Sequence, residues 1–412
     1  MGDNLNFIMY YLLRRIFVHL ELFPDRVAVT RGLLLRRRAE IPLSAVTKVE
    51  IRRTMLLRFL RGKRVEISTL SGGTWFYMRA WERLPFLPQY DGACVRADTA
   101  QALAGAFVDT RALSGAVTFA LLLNRTGSVF GDDSFSRIML LLAGAADEVT
   151  KLLAVLHIAV PRVTAFIAVF IAAAWCAVFL HKAVGMLRFR VSCEGDFITV
   201  RRGIFTLYEC RLVRHNITAV TSCDTLTTLL LRRAPVYVHG TMLFPMAQRS
   251  TAHRIMSKLC GIAPPQKQIK PPFRAVFGHC AAPLGWLGVF AGLLLLTFIA
   301  EPVAADMVQS VLWSGVAVSL WFAMAYAVYM RHSFASFSGE ACGIAFRKGA
   351  RLYTVVIPRG KLVSRTVGRN VFQRFSGMCD LTLRAPHRLH CRLRNVGFRG
   401  ISREMRSYDH HD

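Results

Sequence analysis

Two stretches of this chain carry no charged side chain over a length that can cross a bilayer. They are Ala281–Ala300 (AAPLGWLGVFAGLLLLTFIA) and Met307–Met330 (MVQSVLWSGVAVSLWFAMAYAVYM). At about 1.5 Å of rise per residue, each helix can span a hydrocarbon core of about 30 Å. The EPVAAD between them holds two acids and no base, so the sequence predicts a helical hairpin with a tight turn. A third uncharged run, Val163–Leu180, is rich in alanine, which favours close helix packing. Ile138–Val160, just before it, contains Asp147, Glu148 and Lys151. Each such charge costs about 2.5–3.5 kcal/mol at mid-bilayer. This segment fits either a span, with Asp147 and Lys151 paired one helical turn apart, or a helix lying at the interface.

The remaining sequence is basic. Lys and Arg number 53 against 25 acids, a formal net charge of +28. With 53% hydrophobic residues and a mean hydropathy of +0.37, the membrane is the first partner to consider. Between Arg31 and Arg64 there are eleven Lys or Arg and two Glu. Juxtamembrane bases contribute about 1 kcal/mol each against anionic headgroups. Nucleic acid is the weaker reading, because aromatic stacking residues are not interleaved with these bases.

The basic region alternates with period two. RVAVTRG puts Val27 and Val29 on one face and ends at Gly32, and AVTKVEI sets Val49 and Ile51 against Lys48, Glu50 and Arg52. That pattern predicts antiparallel strands with one wet side. It recurs further along the chain at a constant offset, without a gap. Ile198, Val200 and Gly203 stand where Val27, Val29 and Gly32 stand, and Leu212, Ile217 and Val220 follow as Ile41, Val46 and Val49 do. A looser third copy covers 344–384, with Ile344, Phe346 and Gly349 and a second Ile-Pro at 357–358. Val29, Val200 and Phe346 are expected to point inward from the first strand of each copy. Three β-units separated by two apolar segments make a repeat architecture.

The pattern of strand, [RK]-G, I-P-x-x-x-[IV]-x-x-[IV], arginine-rich segment and β-branched strand resembles the bacterial pleckstrin-homology (PH-like) domain of the second type. The layout from about residue 20 to 400 resembles multi-pass bacterial membrane proteins carrying three such domains. The resemblance implies a small, strongly bent sheet per copy. Arg365 departs from it, standing where a valine is expected. The expected fold class is therefore a mixed membrane protein, with α-helical transmembrane hairpins alternating with three small β-rich PH-like domains. Its expected parts are an amphipathic N-terminal helix (1–19), PH-like domain 1 (20–110), a linker (111–137) and transmembrane hairpin 1 (138–187). PH-like domain 2 (188–265), hairpin 2 (281–330), PH-like domain 3 (334–404) and a tail (405–412) complete it.

Catalytic signals are poor. Ten cysteines show no C-x-x-C spacing, and no phosphate-binding loop, H-E-x-x-H or G-x-S-x-G motif occurs. His387 and Cys391 in HRLHC share a strand face from which His390 points away, which argues against joint metal ligation. No enzyme activity, cofactor or metal is expected. The candidate site is a basic surface of Arg36, Arg37, Arg38, Arg52 and Arg53 meeting anionic lipid or an acidic partner. Bases flank one end of each hairpin (Arg137, Arg188 and Arg190; Arg274 and Arg331), which places all three β-units in the cytoplasm by the positive-inside rule. The leading expectation is a non-enzymatic membrane scaffold that binds anionic phospholipid headgroups, a protein partner or another copy of itself. The alternative is a transporter or channel component built on a four-helix core.

Overall fold

The structure is a computed structural model that describes residues 18–23, 25–31, 37–82, 84, 94–109, 132–155, 162–248, 250–252, 268–300, 305–338, 340–386 and 389–409. It divides into a β-rich unit (1–105, 184–272 and 332–412) and a helical unit (106–183 and 273–331).

The β-rich unit repeats one order of elements three times. First come β1 (Val18–Leu22), β2 (Arg26–Arg31) and β3 (Arg37–Pro42), a 3-10 turn (Leu43–Ala45), β4 (Val46–Arg53), a short helix α1 (Met55–Phe59), β5 (Gly62–Thr69) and β6 (Gly73–Arg79). A short β7 (Cys94–Arg96) and a helix α2 (Thr99–Asp109) follow. The second run is β8 (Arg190–Glu194), β9 (Phe197–Arg202), β10 (Leu207–Val213), a 3-10 turn (Arg214–Asn216), β11 (Val220–Asp224), then β12 (Arg233–Val238) and β13 (Thr241–Gln248). The third is β14 (Phe334–Phe337), β15 (Ala341–Lys348), β16 (Arg351–Pro358), a 3-10 turn (Arg359–Lys361), β17 (Ser364–Gly368), β18 (Met378–Ala385) and β19 (Leu389–Gly397).

Local chemistry repeats with the elements. Each fourth strand runs into a one-turn helix capped by a side-chain oxygen. Thr54 accepts from the Leu57 amide, Thr225 from Thr228, and Asn370 from Gln373. Such caps satisfy amides that the helix itself leaves open. Each helix stops at a left-handed residue: Arg61 (φ 49°), Arg232 (φ 52°) and Gly377 (φ 67°). Glycine takes that conformation easily; the two arginines adopt it at a cost.

Strand pairing does not follow the repeat boundaries. The strand orders are β1-β2-β3, β6-β5-β4-β10-β9-β8-β7, β13-β12-β11-β16-β15-β14 and β17-β18-β19. The second half of one repeat therefore joins the first half of the next, through β4–β10 and β11–β16. The cores, in contrast, close largely within a repeat, with Val213 of the second run joining the first core and Ala219 the third. Val27, Val29 and Ile41 pack with Val49, Val65, Ile67 and Phe76. Ile344, Val355 and Ile357 pack with Leu381, Leu383 and Leu393. Hydrogen bonds link neighbours, and apolar packing links halves.

Val29 and Val200 are fully buried and Phe346 nearly so, but they lie on β2, β9 and β15, the second strand of each run. The reason is one further strand ahead of each expected start. At the N-terminus that strand, β1, takes in Val18 and His19 from the segment expected to be helical, and the rest of that segment lies outside the described residues.

The helical unit contains α3 (Asp132–Val155), α4 (Arg162–Met186), α6 (Ala275–Ala300) and α7 (Ala305–His332), with α5 (Leu226–Leu230), α8 (Val371–Phe375) and α9 (Phe398–Asp409) belonging to the β-rich unit. Among the described residues, three helices are long and apolar enough to cross a membrane: Ala168–Met186, Ala275–Thr297 and Val311–His332. Helices α6 and α7 pack closely, with the Phe290 ring against Gly315, where a side chain would collide with it. Of the six residues expected to make the turn between them (301–306), 301–304 lie outside the described residues and Ala305 and Asp306 open α7. On α3, Lys151 pairs with Glu148 at 2.8 Å, and Asp147, one turn before it, also acts on the ammonium electrostatically.

Candidate functional site: an arginine-lined cleft

Of the five arginines expected to form one surface, the four that are described fall in two sheets. Arg36 lies outside the described residues. Arg37 and Arg38 are on β3, and Arg38 is held by Glu21 at 3.2 Å and Glu40 at 2.9 Å. Arg52 and Arg53 end β4 in the seven-stranded sheet. Arg52 bonds Glu50 at 2.7 Å and lies over the Tyr208 ring at 5.6 Å. Arg53 opens onto a cleft of about 400 Å³ that it shares with Arg188, Arg190, Arg201, Arg202 and Glu209.

Strand register explains the gathering. Arg96 on β7 faces Arg190 on β8, Arg190 faces Arg201 on β9, and Arg201 faces Glu209 on β10. Directly opposed residues of antiparallel neighbours share one face of a sheet, about 5 Å apart at Cβ. Three arginines thus stand in a row that ends at a single carboxylate. Next along β10's other flank comes Ile51, with Arg53 two positions on along the same face of β4.

Glu209 is shared, lying 3.1 Å from Arg201 and 2.8 Å from Arg211. Burial alone would raise its carboxyl pKa, but the two guanidinium groups outweigh burial and hold it below the usual range. Glu50 behaves alike: burial raises it, and hydrogen bonds from Lys48 and Arg52 bring it lower. Lys63, nearly buried on the neighbouring β5, donates to the Glu82 carbonyl. Burial and then the charge of Arg53 lower its pKa. Arg202 lies over the Tyr208 ring at 4.7 Å, which holds the guanidinium in place.

Two further features bound the cleft. The β9–β10 hairpin turns at Gly203 (φ 94°), whose amide donates to the Leu187 carbonyl at 2.7 Å. A side chain at Gly203 would strike the Thr206 carbonyl, so the turn depends on glycine. Helix α1 is tied to the same hairpin by Arg58 Nη1, which donates to the Ile204 carbonyl at 3.2 Å. The tips left exposed are apolar: Phe59 on α1 is 86% exposed and Phe205 on the hairpin 53%. An adjoining cleft of about 260 Å³ continues along Arg96, Arg188 and Arg190.

Arg53 alone was legible as a site residue. The other four arginines lie beyond α3 and α4 in the chain, and their only sequence signal is the density of bases following the apolar run that ends at Leu187. Among the described residues, no group of three or more His, Cys, Asp or Glu is placed to hold a metal ion. Residues 6–102 match the model of a family described as the bacterial PH domain. A PH-like domain is thus present in the first repeat, and such domains bind lipids or proteins. No curated protein and no solved structure matches the chain.

Proposed function

We propose that this chain is a non-enzymatic multi-pass membrane scaffold whose three β-runs are all PH-like, lie in the cytoplasm, and bind anionic lipid headgroups or recruit protein partners. The observation that carries the reading is the joining of consecutive runs into common sheets through β4–β10 and β11–β16. Runs joined through shared sheets are held in register with one another, which suits a scaffold holding other molecules at a membrane. The second reading, a transporter or channel component, would use the charges on α3. Against it, Lys151 and Glu148 are 72% and 73% exposed, as a solvated or interfacial helix face would be.

The test is purification of the full chain from membranes in mild detergent, with identification of the lipids and proteins that accompany it. Enrichment of anionic lipids or of one stoichiometric protein supports the scaffold; solute flux through reconstituted vesicles would replace it with the second reading. Orientation is tested by single cysteines at Gly72 and Gly349, both exposed, in a cysteine-free background. Labelling from the same, cytoplasmic side is expected. Labelling from opposite sides would mean an odd number of crossings between them and put the first run outside.

A further inference from the structure

The geometry points to the phosphate of an anionic membrane lipid as the ligand of the arginine cleft, bound among Arg53, Arg188, Arg190 and Arg201. This deepens the proposed function and rests on its lipid-binding reading, but it names a site.

The first argument is electrostatic. Like charges directly opposite each other on neighbouring strands destabilise a sheet. Arg96, Arg190 and Arg201 occupy three such positions in succession. The carboxylate that ends the row is already divided between Arg201 and Arg211. One shared carboxylate against three guanidinium groups leaves the row with an excess of positive charge. It becomes favourable when a multiply charged oxyanion lies across it, because guanidinium groups bind phosphate oxygens through paired, charge-assisted hydrogen bonds.

The second argument is conformational. Arg188 sits in the left-handed region (φ 58°), which side-chain-bearing residues seldom adopt. Arg188 ends α4 as Arg61 and Arg232 end their helices, and that fixed turn holds it where it lines both adjoining clefts.

The third argument separates a lipid from a free anion. The tips beside the cleft, Phe59 and Phe205, expose rings next to arginines, a combination suited to the headgroup layer and of no use to a dissolved phosphate. Arg188 also stands two positions after Met186, the last residue of a membrane-spanning candidate, a reach of at most about 7 Å of chain. A phosphate at the interface lies within that reach.

The experiment uses the full chain in nanodiscs of phosphatidylcholine, titrated with short-chain phosphatidic acid or with inorganic pyrophosphate, for the wild type and Arg190→Gln. The wild type should bind the lipid and melt at a higher temperature with it. Arg190→Gln should bind it about tenfold more weakly, the loss of one charge-assisted contact. Without ligand the variant should melt no lower than the wild type, since it relieves repulsion in the row. Equal lipid binding by the variant overturns the cleft while leaving lipid binding by the β-rich unit intact. Lower melting of the unliganded variant makes the row structural and overturns the electrostatic argument. Pyrophosphate binding as tight as the lipid's overturns the lipid source. Failure of the wild type to bind phosphatidic acid at all overturns the cleft's ligand together with the lipid reading it rests on.

Discussion

The seven-stranded and six-stranded sheets are assembled by the same rule, yet they end in opposite chemistry. In the first, Arg201 on β9 faces Glu209 on one side and Arg190 on the other. In the second, Arg347 on β15 faces Leu352 on β16, and Leu352 is 1% exposed. A charged row that opens onto a cleft at one junction is replaced by a packed aliphatic side chain at the other. Strand order alone therefore does not make a site. What distinguishes the first junction is the placing of charge on a scaffold that the second shares.

The largest test of that comparison should leave it intact. Val200→Asp in the seven-stranded sheet and Val355→Asp in the six-stranded sheet each bury a carboxylate among apolar groups, since both valines are nearly inaccessible. Each should lose about 4 kcal/mol or more, seen as proteolytic sensitivity and early melting. Wild-type resistance in either variant would mean that the strand register is misassigned.

A smaller effect separates the two sheets. Glu209→Gln removes the carboxylate shared by Arg201 and Arg211 and should cost about 2 kcal/mol at neutral pH. Because the folded pKa of Glu209 is lowered, its contribution is fully present above the ordinary value of 4.5 and fades as pH falls through the lower folded value. Melting curves from neutral pH down to acid should therefore converge for Glu209→Gln and wild type. Parallel curves would show that the ion pairs contribute nothing to stability. Helix caps come next: Thr54→Ala and Thr225→Ala should each cost about 1 kcal/mol, and to a similar degree, because the same cap serves both junctions. Arg38→Gln comes last, within about 0.5 kcal/mol, since its pairs with Glu21 and Glu40 are half exposed.

The sequence carries the repeat to the residue. Thr54 and Thr225, Arg61 and Arg232, and the 3-10 turns beginning at Leu43 and Arg214 all keep the offset that aligns Val29 with Val200. Caps and left-handed stops are local, so their chemistry is written locally. Pairing across repeats was not legible, because alternation tells which face of a strand is buried and says nothing about its neighbour. For the same reason the cleft was half legible. Arg52 and Arg53 stand out in the sequence, while the arginines that β8 and β9 bring beside Arg53 are separated from it by the whole of α3 and α4. Density alone groups Arg38 with them, whereas register assigns it to a separate three-stranded sheet.

The β4–β10 junction also sets a timetable for synthesis. When β4, β5 and β6 leave the ribosome, the strand that completes their sheet, Leu207–Val213, is still to be made. It follows two long helices, of which α4 is a membrane-spanning candidate. Until it arrives, β4 offers a row of open backbone groups, the kind of edge that invites pairing with the wrong chain. A fragment ending near residue 110 would keep that edge permanently, so the first repeat cut out alone is expected to aggregate or pair with itself. Delivery of the missing strand then depends on how promptly the intervening helices enter the bilayer, which makes membrane insertion a step in completing the sheet.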